Sequence, residues 1–337
     1  MLYVTTRNQR DAFTAQRALR ENRGPDGGLY LPFRAPFYTP DGLDTLADMS
    51  FGQRVAEVLN CLFQCKCTGW DVDFCVGRAP VRLTPLGHRL HVAEAWHNPG
   101  WTYERMAREL SALLLQEPTV PNGWLRIALR IAVLFGIYGE LRGSGIGTAD
   151  IVVVSGDFSA PISAYYARQW GLPIGNIVCC CNENSELWDL LCHGQMRTDA
   201  VSIPTIIPEA DAALPEQLER LICEAGGAAE VERYLEVCRR GGVYAPCDAV
   251  LAKLRKGFCV SVVSSRRILE TIPSVYRTHG YVLAPGSALA YAGLMDYRAK
   301  MGQTRNAVVL AENSPIRDKG IIAPALGISE EALTDLL

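Results

Sequence analysis

Ile151-Val152-Val153-Val154-Ser155-Gly156-Asp157-Phe158-Ser159 is a run of four β-branched residues entering a glycine turn. A short, unbroken apolar run of this kind reads as a strand buried on both faces. Ser159 to Trp170 continues as a helix, so the segment is strand, turn, helix. The pattern extends outward: Leu90-His91-Val92 is a short strand and Thr102 to Leu115 an amphipathic helix. Ile177-Val178 is a second apolar strand, ending in Cys179-Cys180-Cys181. Alternating strands and helices predict a parallel α/β sheet. The turn at Gly156 either points backbone N–H groups and a helix dipole at one place, which suits an anion, or is a plain strand-to-helix turn, the reading favoured by the Asp157 carboxylate.

Upstream, residues to about Arg78 read as a helical unit. Asp11 to Arg20 is one helix, and Phe51 to Phe63 is another, with Ser50 as its N-cap. Pro32, Pro36 and Pro40 make an extended connector between them. Downstream, Glu216 to Ala225 and Val231 to Arg240 read as exposed helices, and Ser264 to His279 as a further one. A chain of 337 residues with 49% hydrophobic content can fill two cores, so a boundary is expected between 1–78 and 79–337.

Charge and composition exclude several roles. A net charge of -3 with no basic stripe leaves nucleic acid without an electrostatic footprint. The most apolar run, Ile127 to Tyr138, follows Arg126, contains Arg130 and is too short to span a bilayer. Polar and charged residues within the first ten positions differ from a secretory apolar core, which predicts a cytoplasmic protein. Cys61, Cys65, Cys67 and Cys75 have no standard zinc spacing and no nearby histidine. The 12 cysteines are therefore expected to be reduced and structural, with no metal site.

The stretch Trp96-His97-Asn98-Pro99-Gly100-Trp101-Thr102-Tyr103-Glu104-Arg105 resembles the Phe-His-Gly-Pro-Thr-x-x-Phe-Lys-Asp segment of threonine synthases, which use pyridoxal phosphate. Tyr3-Val4-Thr5-Thr6-Arg7 and Asp26-Gly27-Gly28-Leu29-Tyr30-Leu31-Pro32 resemble that family's N-terminal signature. Ser155-Gly156-Asp157-Phe158-Ser159 resembles its Thr-Gly-Asn-Phe-Gly loop; Tyr165-Tyr166-Ala167, Gly171-Leu172-Pro173-Ile174 and Asn182-Glu183-Asn184 also fit. Gly280-Tyr281-Val282-Leu283-Ala284-Pro285-Gly286-Ser287-Ala288 resembles Gly-Tyr-x-Leu-Asp-Pro-His-Thr-Ala. Val309-Leu310-Ala311-Glu312-Asn313-Ser314-Pro315 resembles Val-Leu-Ala-Thr-Ala-Ser-Pro. The resemblance implies a threonine-synthase-type N-terminal domain followed by a fold type II, parallel α/β domain.

It also implies where a cofactor would sit, and there the chain departs from the pattern. Glu104 falls on the Schiff-base lysine, and a carboxylate has no nitrogen for an imine. After Leu115, Gln116 to Leu125 runs directly into Trp124-Leu125-Arg126-Ile127, which resembles a later family segment, Asn-Trp-Ala-Arg-Ile. The intervening strand, turn and helix of the small cofactor subdomain are missing, so a trimmed domain is expected. Gly156 and Phe158 persist in the phosphate loop, while Asp157 replaces the asparagine and Ser159 the second glycine. Ser287 matches a threonine on the pyridine nitrogen, or is an ordinary helix N-cap. Ala284 and Gly286 replace its flanking aspartate and histidine.

His97 and Glu104, among Trp96, Trp101 and Tyr103, form a candidate acid–base pair. The alternative is a packed loop with a satisfied histidine and Glu104 neutralised by Arg105 and Arg108. Of the lysines Lys66, Lys253, Lys256, Lys300 and Lys319, the last is best placed to approach the cleft as a substitute anchor. The expectation is a catalytically degenerate threonine-synthase-like protein without pyridoxal phosphate. It would bind a small amino-acid-like or phosphate-bearing ligand, or a partner, with a homodimer covering surface bared by the lost layers. The rivals are a cofactor-free enzyme using Glu104 and His97, and threonine synthase activity on a migrated lysine.

Overall fold

The computed structural model describes residues 1–78, 80–97, 102–121, 123–302 and 305–337. Ala79, at the expected boundary, and Asn98, Pro99, Gly100 and Trp101 of the quoted stretch lie outside the described residues.

The chain opens with strand β1 (Leu2–Thr5), β2 (Phe13–Thr14), helix α1 (Ala15–Arg20) and β3 (Tyr30–Pro32). These strands form an antiparallel sheet in the order β2-β1-β3, which the helical expectation for this unit missed. They are two to four residues long and stand on pairing across the fold rather than on local pattern. Three helices follow: α2 (Pro40–Ala47), α3 (Phe51–Phe63) and α4 (Gly69–Val76). Ser50 caps α3 as expected: its hydroxyl accepts the Gln53 N–H, and Gln53 reaches back to the Ser50 N–H at 2.8 Å.

The second part begins with β4 (Arg82–Pro85), β5 (Leu90–Glu94), α5 (Tyr103–Leu115) and α6 (Gly123–Gly143). Next come β6 (Ala149–Val154), α7 (Ser159–Gln169), β7 (Ile174–Cys181), the short α8 (Glu186–Trp188), β8 (Met196–Arg197) and α9 (Leu218–Arg240). The chain continues through β9 (Val243–Tyr244), α10 (Asp248–Arg255), β10 (Phe258–Val262), α11 (Ser265–His279) and α12 (Pro285–Met301). It closes with β11 (Ala307–Ala311), α13 (Lys319–Leu326) and α14 (Glu330–Leu336). A six-stranded sheet has the order β10-β7-β6-β11-β5-β4, parallel throughout except for β4.

Alternation along the strands splits the core into two layers. Ile151 and Val153 face one layer with α6 and α7, while Val152 faces the other with α11 and α12. Cys179 and Cys181 share the first layer and Cys180 the second, so the cysteine triplet is packing material, as expected. α6 is buried almost all round and packs on α3. Among the described residues no helix is long and apolar enough to cross a membrane.

One prediction fails in α9. Its two expected exposed helices are joined across Gly227, which breaks the helix at φ 74° and ψ -174°, and the first is largely buried. Its charges are paired inside instead of solvated. Arg220, fully buried, donates from Nε to the Gln217 side chain at 2.9 Å and from Nη1 to the Tyr30 carbonyl. Glu219 accepts the Thr6 hydroxyl and lies 3.2 Å from Arg7.

Candidate functional site

Ligands of open parallel sheets bind outside the carboxyl ends of the strands. Here a crevice of about 110 Å³ opens at the ends of β6 and β11, between the starts of α7 and α12. On the same measure one water needs roughly 10–15 Å³, so the space suits a molecule of several heavy atoms.

The loop after β6 builds one wall. Gly156 (φ 43°) and Phe158 (φ 71°) both take left-handed backbone, which is costly for a bulky side chain. Phe158 is fully buried with its ring 5.8 Å from that of Phe258, so packing holds the conformation. A Cβ on Gly156 would lie 2.8 Å from the Glu209 carbonyl oxygen, so close approach also requires glycine there. Asp157 turns its carboxylate back onto the helix start. Its Oδ1 accepts the Ser159 backbone N–H at 2.9 Å and its Oδ2 accepts the Ser159 hydroxyl at 2.7 Å. Arg126 Nη1 stands 3.6 Å from the same Oδ2. Side chains of the protein therefore already answer the positive end of α7.

Arg130, one turn further along α6, is 5% exposed and lies with its guanidinium 4.2 Å over the Tyr103 ring. Its Nη1 is ion-paired with Glu312, beyond the end of β11. Its Nε and Nη1 are both buried, and neither makes a hydrogen bond among the described residues. Burial pulls the Arg130 pKa below its ordinary value, which marks how little water reaches it.

Glu209 and Asp318 also line the crevice. Glu209 accepts the Asn313 side-chain amide at 3.0 Å. Burial pushes the Asp318 carboxyl above its ordinary value, the Glu209 charge adds to the rise, and Arg317 partly opposes it. Neither carboxylate has an ion-pair partner within 4.0 Å among the described residues.

The structure thus gathers Gly156, Asp157 and Ser287 around one space, with Phe158 and Ser159 in the loop behind it. Ser287 corrects the expected N-cap: Ala284 holds the cap position, Pro285 starts α12, and no side chain caps it. Proline sets the first helical residue, which leaves Ser287 in the first turn, 6% exposed, facing the crevice. His97 and Glu104 are not brought together. His97 Nδ1 lies 3.1 Å from the Glu94 carbonyl oxygen. The Glu104 side chain is 65% exposed, 3.5 Å from Arg108, and neither residue lines the crevice.

No lysine lines it either. Lys319 pairs with Glu330 at 3.0 Å, Lys253 donates to the Ala225 carbonyl, and Lys300 lies beside the edge strand β10. Lys66 and Lys256 are exposed. Among the described residues no group of three or more His, Cys, Asp or Glu could hold a metal. The twelve cysteines are free, and burial pushes Cys67 up to about 12, away from thiolate reactivity.

Arg126, Arg130, Glu209, Glu312 and Asp318 were not expected as site residues. Arg130, a charge inside the apolar stretch of α6 and one turn after Arg126, was the readable signal, because a buried charge needs a partner. Glu209 and Asp318 sit in short irregular turns with no periodicity to mark them.

Residues 2–79 match the family model for the threonine synthase N terminus. Threonine synthase of Pseudomonas aeruginosa is 26% identical over 180 residues, 53% of this chain and 38% of that one. Human threonine synthase-like 1 is 25% identical over 184 residues, 50% of this chain and 23% of that one. The match thus spans well under half the length of these curated relatives. Among solved structures, pyridoxal-phosphate-bound threonine synthase from Brucella melitensis superposes with a TM-score of 0.85 at 20% identity, covering 100% of this chain and 94% of that one. Yeast threonine synthase superposes with a TM-score of 0.83 at 17% identity, covering 99% and 93%. The comparisons converge: residues 2–79 match the threonine synthase N terminus, and the whole chain has the fold type II architecture of the solved threonine synthases.

Proposed function

We propose that this chain is a catalytically degenerate, trimmed member of that architecture whose crevice holds a small ligand without a Schiff base. The observation that carries this reading is Asp157, whose carboxylate takes both the N–H and the hydroxyl of Ser159 at the start of α7. Pyridoxal phosphate supplies an aldehyde that condenses with a lysine amine and a phosphate that needs free donors. The residues present fit neither end. No lysine lines the crevice, and Glu104, on the expected anchor position, points to Arg108 at the surface. A phosphate on the α7 donors would face Asp157. Two unit charges about 4 Å apart repel by roughly 4 kcal/mol at intermediate dielectric, about a thousandfold in affinity.

The test is an absorbance titration of the purified protein with pyridoxal phosphate, then borohydride reduction and peptide mapping. The expected result is no aldimine band and no reduced adduct. A stoichiometric adduct on any lysine would overturn the proposal and identify the anchor.

A further inference from the structure

The two edges of the six-stranded sheet are built differently. At one edge, β4 carries Arg82 and ends in Pro85, a charge and a missing N–H that discourage a further strand. At the other edge, β10 is Phe258-Cys259-Val260-Ser261-Val262, with no charge, no proline and an unbroken register to β7. A groove of about 360 Å³ runs along all five residues, between Trp188 and Cys192 on one side and Lys300 and Met301 of α12 on the other. Val262 is 37% exposed and Met301 47%, so the groove offers apolar surface to solvent.

The pairing with β7 decides which backbone groups face outward. The Ile177 N–H donates to the Gly257 carbonyl and the Val263 N–H to the Cys181 carbonyl, both at 2.9 Å. Alternate residues of a strand bond to the same neighbour, so Gly257, Cys259, Ser261 and Val263 serve β7. Phe258, Val260 and Val262 therefore turn their N–H and C=O groups to the open edge, where no strand of the described residues meets them.

This edge is its own complement. About a two-fold axis through Val260, a second β10 runs antiparallel, with Val260 opposite Val260 and Phe258 opposite Val262. All of these are hydrogen-bonded pairs, so every free N–H and C=O finds a partner. Charge agrees with that direction. Lys256, exposed, immediately precedes β10, and Lys300 lines its start beside Cys192 and Cys259. Glu183 and Glu186 stand at the other end, where Glu183 accepts the Ser265 N–H at 2.6 Å. Arg266 and Arg267 there are already paired with Glu270 and Asp296. An antiparallel two-fold sets the lysine end of each copy against the glutamate end of the other.

We infer that β10 is a dimerisation edge: two copies of this chain pair their β10 strands antiparallel, making one sheet continuous across a two-fold axis. This goes beyond the reading of the crevice and stands independently of it.

Sedimentation velocity of the full chain over a concentration series tests the inference. The parent is expected to be dimeric at about 100 μM. Val260→Pro removes an N–H that only the second copy uses, and proline is tolerated on edge strands. It should weaken the dimer about tenfold or more, with an unchanged circular dichroism spectrum as fold control. The surface double variant Lys256→Glu, Lys300→Glu should act in the same direction, and it serves as the test should Val260→Pro fail to fold.

Ser261→Cys reads the register. Cys259 falls opposite Ser261 of the other copy in a non-hydrogen-bonded pair, with Cα atoms about 4.5 Å apart and within disulfide reach. Copper phenanthroline with oxygen takes two electrons and two protons from the facing thiols. It should give a covalent dimer that is far less abundant in the parent and lost when Cys259→Ser is added. A chain that stays monomeric at about 100 μM overturns the inference and leaves the edge to an extended segment of another protein. A dimer unmoved by both sets of variants, or one that Ser261→Cys does not cross-link, has its interface elsewhere and overturns the inference as well.

Discussion

The Asp157 carboxylate accepts both the backbone N–H and the hydroxyl of Ser159, at 2.9 and 2.7 Å, and so occupies the donors that open α7. Removing it should return those donors to an external anion. Asp157→Asn is expected to raise the affinity for inorganic phosphate by about tenfold or more, measured by calorimetry. The same change should lower stability by about 1 kcal/mol through the weakened helix start. Unchanged phosphate affinity in a folded Asp157→Asn variant would refute the idea that this carboxylate closes the anion site.

Placing an amine at position 104 should not create a Schiff-base anchor. Glu104 lies in the first turn of α5 with its side chain at the surface beside Arg108, not in the crevice. Glu104→Lys is therefore expected to yield no aldimine with pyridoxal phosphate, and to change stability by no more than about 0.5 kcal/mol. An aldimine band reduced by borohydride onto the new lysine would contradict this placement.

The contact of α3 with α6 depends on small residues. A Cβ built on Gly136 would fall 2.5 Å from the Phe51 ring, with both residues buried. Gly136→Ala should lower stability by about 1–3 kcal/mol through overpacking, seen as a lower melting temperature. A melt equal to that of the parent would show that Phe51 moves aside without penalty.

Acid should weaken the fold through His91 on β5. Its Nδ1 is buried without a hydrogen-bond partner among the described residues, and burial lowers its pKa from the ordinary 6.5. A histidine whose folded pKa is depressed contributes stability that is present above the unfolded value. That stability is lost as pH falls through 6.5 toward the folded value, because the unfolded chain takes the proton first. Urea midpoints measured from about pH 8 to about pH 5 should fall with acidification, and His91→Leu should flatten the slope. An equal slope in the variant would assign the effect to other groups.

Legibility differed sharply between elements. Strand β6 and helix α7 were readable because Ile151 to Val154 is continuously apolar and Gly156 interrupts it before the helix. Ser50 and Ser264 were readable as helix starts because a cap is a local bond, three residues long. The N-terminal sheet was not, since its strands exist through partners such as Tyr3 opposite Pro32. The first half of α9 was misread as solvated because Glu219 and Arg220 look like surface residues until Thr6, Arg7 and Tyr30 arrive to pair them.

The sequence by itself determined the alternating α/β class, the buried strands, and a carboxylate at position 104. Each depends on near neighbours or on the chemistry of one side chain. Only the tertiary structure decided that β11 lies between β5 and β6, which sets Glu312 against Arg130 from the distant α6. Parallel strands pair across long connections, so no local pattern records which strand is whose neighbour. The mix of charges in the crevice follows from that pairing: Arg126 and Arg130 of α6 face Asp157, Glu209, Glu312 and Asp318 from distant parts of the chain.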